Sequence, residues 1–128
     1  MKKYAIAGVL MLMMITTFAA AQVSRLSAVA DVPFAFIVGG KTLPAGTYRF
    51  SPSDNLTQMT VTNTIGKESV MALIITRLSP RQAGEAAVVF DVTGSDRYLA
   101  EIYLPGIDGF QVPCAPGDHT HVVVKAKK

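Results

Sequence analysis

Tryptophan is absent from this chain, cysteine occurs once in 128 residues, and charged side chains make up only 16% of it. A single cysteine excludes an intramolecular disulfide framework, so the fold must rest on its core. Without tryptophan, a sugar-stacking platform loses its favoured residue, and Tyr48, Tyr98 and Tyr103 read as amphipathic residues at sheet margins. The net charge is +3, and two of the positive charges, Lys2 and Lys3, stand at the extreme N-terminus, leaving +1 for the rest. So small a balance gives little long-range steering towards nucleic acid or anionic lipid. The chain also lacks a Gly-x-Ser-x-Gly elbow, a phosphate-cradling glycine loop and a His-Glu-x-x-His helix. These absences favour a module that does no catalysis.

What is present begins with a leader. Lys2 and Lys3 precede an uncharged apolar run from Tyr4 to Phe18, and Ala19-Ala20-Ala21 supplies the small residues that a signal peptidase reads. The pattern predicts a signal peptide over residues 1–21, cleaved after Ala21, and a periplasmic or extracellular protein. The apolar run is shorter than the roughly 20 residues that span a bilayer, so no stable membrane span is expected after cleavage. Removing 21 of 128 residues leaves 107, which is one domain, 22–128. A chain of that size buries roughly 65% of its unfolded surface, sufficient for a core without staples.

The domain reads as antiparallel β throughout. Val32, Phe34, Phe36 and Val38 alternate on one face, Gly39-Gly40 supplies a tight hairpin turn, and Tyr48 and Phe50 resume the alternation after Pro44-Ala45-Gly46. Met59 and Val61 mark a further strand with one wet face. Val70 to Ile75 is apolar on both parities, which predicts a central strand covered on both sides. Phe90 and Val88 are expected opposite Tyr98 and Ala100 across a three-residue loop, Thr93-Gly94-Ser95, with Asp91 facing Arg97 on the outer side. The last strand places Thr120, Val122, Val124 and Ala126 on one face and His119, His121, Val123 and Lys125 on the other. About eight short strands at even spacing predict an all-β antiparallel sandwich or small barrel.

Two of these segments carry a likeness. Val-Pro-Phe-x-Phe-x-Val-Gly-Gly-Lys-x-Leu-Pro-Ala-Gly-x-Tyr, from Val32 to Tyr48, and Asp96-Arg97-Tyr98-Leu99-Ala100-Glu101-Ile102 resemble a family of small exported β-rich bacterial proteins. The resemblance spans about Val29 to Leu104 and implies export and a β architecture. Its motifs are strand cores and turns, so it carries over no catalytic residue.

One constellation can hold chemistry. In Cys114-Ala-Pro-Gly-Asp118-His119-Thr-His121, the two histidines stand two apart and project from one strand face, as a pair of metal-ligating imidazoles does. Cys114 or Asp118 can complete a three- or four-ligand set for Zn or Cu. The candidate ligands are therefore Cys114, His119 and His121, set against the plainer reading of a solvated final strand. A Cys114–His119 nucleophile pair needs an orienting third group that the sequence does not supply. Asp91 and Glu101 on adjacent strands mimic a glycosidase pair, but Arg97 offers Asp91 a salt bridge. Met59 and Met71 suggest copper(I) less than they suggest core filling. The sequence thus supports an exported non-catalytic binding or structural module with no cofactor. Its partner is expected to be an envelope protein, a surface polymer or a small apolar ligand. Transition-metal binding is the alternative.

Overall fold

The alternating segments fold into eleven short strands in a computed structural model that describes residues 27–81, 84–106, 108–114 and 117–127. The leader expected over residues 1–21 lies outside the described residues. In chain order the strands are β1 (Ala28–Val32), β2 (Phe36–Val38), β3 (Lys41–Leu43), β4 (Gly46–Pro52), β5 (Gln58–Asn63) and β6 (Ser69–Leu73). They continue with β7 (Thr76–Leu78), β8 (Ala87–Thr93), β9 (Asp96–Tyr103), β10 (Gly109–Gln111) and β11 (Thr120–Lys125). There are more than the eight expected because four of them, β2, β3, β7 and β10, are only three residues long.

Two sheets face each other as a small β-sandwich. One has the order β1-β4-β5-β6, and the other runs β11-β8-β9-β10-β7 with β2 and β3 joined through β9. Every pairing is antiparallel except β2 with β9, which meet in parallel at Ile37 and Tyr98. Both margins are bridged. At Ile74–Ile75 the chain passes from the first sheet to the second, with Ile74 N–H bonded to Thr57 and Ile75 N–H to Gln111. On the opposite margin, Lys127 N–H donates to the Val29 carbonyl at 2.7 Å, tying the end of the chain to β1.

The core sits where the alternation placed it. Val32, Phe36, Val38, Tyr48, Phe50, Met59, Val61, Val88 and Phe90 are all buried. Phe36 joins the two sheets, edge-on to Tyr48 at 5.0 Å and to Phe90 at 5.2 Å between ring centroids. Such edge contacts suit the opposed charge of ring face and rim. The Tyr48 hydroxyl, taken into this core, donates to the Pro44 carbonyl at 2.7 Å.

Two details depart from the sequence reading. The Val70–Ile75 run is not a doubly covered central strand: β6 is the edge of its sheet, and Met71, Leu73 and Ile75 are 54%, 63% and 60% exposed. Val70 and Ala72 are buried and Ile74 packs half-buried against the core, because the run ends at the corner between sheets rather than passing beneath a second layer. A neighbouring element does rest on its backbone. Gly39, at φ +56° in the β2–β3 turn, lies so close that a Cβ there would stand 2.8 Å from the Met71 carbonyl oxygen.

The second departure is the β8–β9 register. The loop is the two-residue turn Gly94–Ser95, with Thr93 opposite Asp96 and Gly94 at φ +61°. A glycine first in a two-residue loop matches the twist of the strands it joins. Asp91 then pairs with Tyr98 and Val92 with Arg97, so the expected Asp91–Arg97 pair does not form. Instead the Arg97 guanidinium lies over the Phe34 ring, 4.7 Å from its centre. Phe90 stays in the core because a bulge absorbs the slip: Val89 pairs with Glu101 and Phe90 with Leu99, leaving Ala100 as the extra residue of β9. Its carbonyl accepts from Val112 N–H at 3.0 Å. In the β5–β6 turn the left-handed residue is Lys67 (φ 60°).

Candidate metal centre

β8 is an apolar strand with one charge in it, Asp91, in the sequence Ala87-Val-Val-Phe-Asp91-Val-Thr. Side chains alternate across the sheet, so Val88 and Phe90 enter the core while Val89 and Asp91 face the other side. β11 forms the edge beside it, and its register sets His121 directly opposite Asp91. Cross-strand neighbours of this kind have Cβ atoms about 4.5–5.5 Å apart, within easy reach for an imidazole and a carboxylate. His119, two residues earlier, lies on the same side. The two rings meet edge to face with centroids 4.9 Å apart.

The three side chains converge. His121 Nδ1 is 2.9 Å from Asp91 Oδ1 and His119 Nε2 is 3.5 Å from the same oxygen. One ligand atom from each residue falls in a group whose members all lie within 4.8 Å of one another. Asp91 is 1% exposed. Yet Oδ1 has no hydrogen-bond partner among the described residues. The approach of His121 Nδ1 at 2.9 Å is therefore proximity without a hydrogen bond. An ionised carboxylate taken out of water carries a penalty of several kcal/mol unless a cation answers it. An imidazolium or a metal ion is a cation able to answer it here.

His119 is held from behind. Its Nδ1 is 2.8 Å from the Gly117 carbonyl oxygen, which can only accept, so Nδ1 carries the proton and Nε2 is turned towards Asp91. A metal-ligating histidine commonly has its far nitrogen fixed in this way. Tetrahedral zinc with bonds of about 2.0–2.2 Å sets its ligand atoms about 3.3–3.6 Å apart. His119 Nε2 stands at that spacing from the carboxylate oxygen, 3.5 Å, while His121 Nδ1, at 2.9 Å, is closer than an ion between them requires. Two imidazoles and one carboxylate form a donor set suited to zinc, copper and neighbouring divalent ions.

Comparison with protein-family models, with curated proteins and with solved structures finds no match.

Of the expected ligands, the structure brings His119 and His121 together and sets Asp91, not Cys114, as their nearest third. Cys114 is half-buried on the segment between β10 and β11. Gln111 Nε2 points to its sulfur at 3.9 Å. Burial raises the pKa of this thiol, the Asp91 carboxylate raises it further, and the Gln111 donor pulls the other way. No hydrogen bond joins Cys114 to His119 among the described residues, so the nucleophile pair is not assembled. Asp118 is exposed and outside the group.

The other candidates disperse. Glu101 lies opposite Val89, two residues along β8 from Asp91, and its carboxylate accepts from the Tyr103 hydroxyl at 3.3 Å. Met59 is buried in the core while Met71 points outward from the neighbouring strand, which separates the methionine pair by the thickness of a sheet. Tyr48 is in the core, away from Tyr98 and Tyr103. A groove lined by Gly84, Pro105, Lys125 and Lys127 lies at the far end of β11, with Lys125 paired to Glu85 at 3.4 Å. Asp91 was the residue missed. Its signal was a lone carboxylate inside an otherwise apolar strand.

Proposed function

We propose that this chain is an exported, non-catalytic binding module whose ligand is a transition-metal ion, zinc or copper, held by Asp91, His119 and His121. The observation that carries the reading is the buried Oδ1 of Asp91, without a hydrogen bond and faced by two imidazole nitrogens at 2.9 and 3.5 Å. A dication between these three atoms neutralises the carboxylate and uses both nitrogen lone pairs at once. β8 anchors the carboxylate in the interior and β11 lays the imidazoles over it, so ion binding also fastens the edge strand to its neighbour. Export is supported by the leader pattern of residues 1–21, and the periplasm or the medium is where such a module meets free metal.

Isothermal titration of the purified protein with zinc and with copper(II) tests this. One equivalent should bind, His121→Ala should lose most of the heat, and thermal unfolding should move upward with metal. No binding to the wild-type protein of either ion removes the proposal and leaves an imidazolium–carboxylate cluster.

A further inference from the structure

The three side chains of the metal site are held unequally. Asp91 is fixed in the interior of β8. His119 has a side chain 26% exposed and is fixed from behind, its Nδ1 donating to the Gly117 carbonyl at 2.8 Å. His121 is 57% exposed, stands on the edge strand β11, and makes no side-chain hydrogen bond among the described residues. Its Nδ1 lies 2.9 Å from Asp91 Oδ1, closer than the about 3.3–3.6 Å between ligand atoms of a tetrahedral ion. This ring must therefore swing outward to admit an ion, and its exposed side leaves it free to do so.

We infer that this is an exchange site: His121 is its releasable ligand, and the ion passes outward to an incoming imidazole donor. This rests on the metal reading above and names how the ion leaves it. Asp91, His119 and His121 supply three ligand atoms. Structural zinc sites are closed by four protein ligands, whereas sites with three accept an external fourth. The carboxylate forms the dry floor and the imidazoles the solvent side, so an external donor arrives beside His121. Its nitrogen lone pair bonds to the ion first. The bond to His121 Nδ1 then breaks with the electron pair staying on that nitrogen, and nothing is oxidised or reduced. Imidazole suits zinc and copper alike, so the incoming donor is of the same kind as the ligand it displaces. A site built this way carries an ion and hands it on.

Free imidazole is the probe. Cobalt(II) bound to the wild-type protein should shift its visible bands as imidazole is added, saturating at a single imidazole per cobalt. The zinc-loaded protein should yield its ion to the chelator 4-(2-pyridylazo)resorcinol at a rate that doubles when the chelator concentration doubles, as a step in which the donor binds first requires. Free imidazole should also restore zinc binding to His121→Ala, whose missing ring leaves an exposed position, and should not restore it to His119→Ala; circular dichroism checks that both variants keep the fold. Cobalt bands unmoved by imidazole, a release rate independent of chelator concentration, or equal rescue of the two variants refutes the exchange role while the three-residue site stands. If neither cobalt nor zinc binds the wild-type protein, both readings fall.

Discussion

Phe90 and Asp91 are neighbours on β8, 0% and 1% exposed, and they face opposite sides of one sheet. On the Phe90 side everything is met: rings from β2 and the Phe34 segment pack edge-on against it at 5.2 and 5.0 Å. On the Asp91 side a carboxylate is equally dry, and its Oδ1 finds no hydrogen bond among the described residues. One face is closed by shape. The other is closed by side chains that leave a charge unanswered. The same burial therefore means stability on one side of the strand and a carboxylate oxygen without a hydrogen bond on the other.

Breaking the apolar side should give the largest effect. Phe90→Ala is expected to lower unfolding free energy by about 3–5 kcal/mol in urea melts, by the same amount with or without zinc. A zinc-dependent loss would mean that the two faces are not separate.

Asp91→Asn sharpens the comparison, because it keeps shape and removes charge. The metal-free variant should be more stable than metal-free wild type by about 1–3 kcal/mol, the scale of an unsatisfied buried group. It should also gain nothing from zinc, whereas wild type should gain about 2.7 kcal/mol at a free concentration one hundred times its dissociation constant. Destabilisation of the metal-free protein by this substitution would show instead that imidazolium satisfies the carboxylate.

An exposed carboxylate supplies the smallest effect. The Thr47 hydroxyl and then Lys127 hold Asp31 below its ordinary value of 3.8. A lowered folded-state pKa adds stability above that ordinary value, and the contribution disappears as pH falls through the lower folded one. Asp31→Asn should therefore cost a little stability at neutral pH and nothing at the acid extreme, in melts compared at the two pH values. An equal cost at both would assign the effect to the hydrogen bond from Thr47 and not to charge.

The inward faces of the strands were legible because a period of two survives any detail of packing: Val32, Phe36, Val38, Tyr48, Phe50, Met59 and Val61 all lie where alternation put them. The Gly39-Gly40 hairpin was legible for the same local reason. The β8–β9 register was not, since the bulge at Ala100 answers to Val112, an element distant in the chain. Nor was the exposure of Leu73 and Ile75, which depends on where the strand leaves its sheet. The site divides in the same way. His119 and His121 are two apart on one strand and could be paired from the sequence. Asp91 joins them through a pairing of β8 with β11 across nearly thirty residues, and Arg97 was the more obvious partner nearby.

The absence of a side chain at Gly39 bears on how this molecule behaves in a crowd. The tip of the β2–β3 hairpin can rest on the β6 backbone only because nothing larger than hydrogen stands between them. That contact occupies part of a rim whose outward side chains, Met71 and Leu73, are oily and wet. Uncovered rims of this character recruit strands from other chains and seed fibres. A single missing methyl group thus lets a folded neighbour shield part of an oily border.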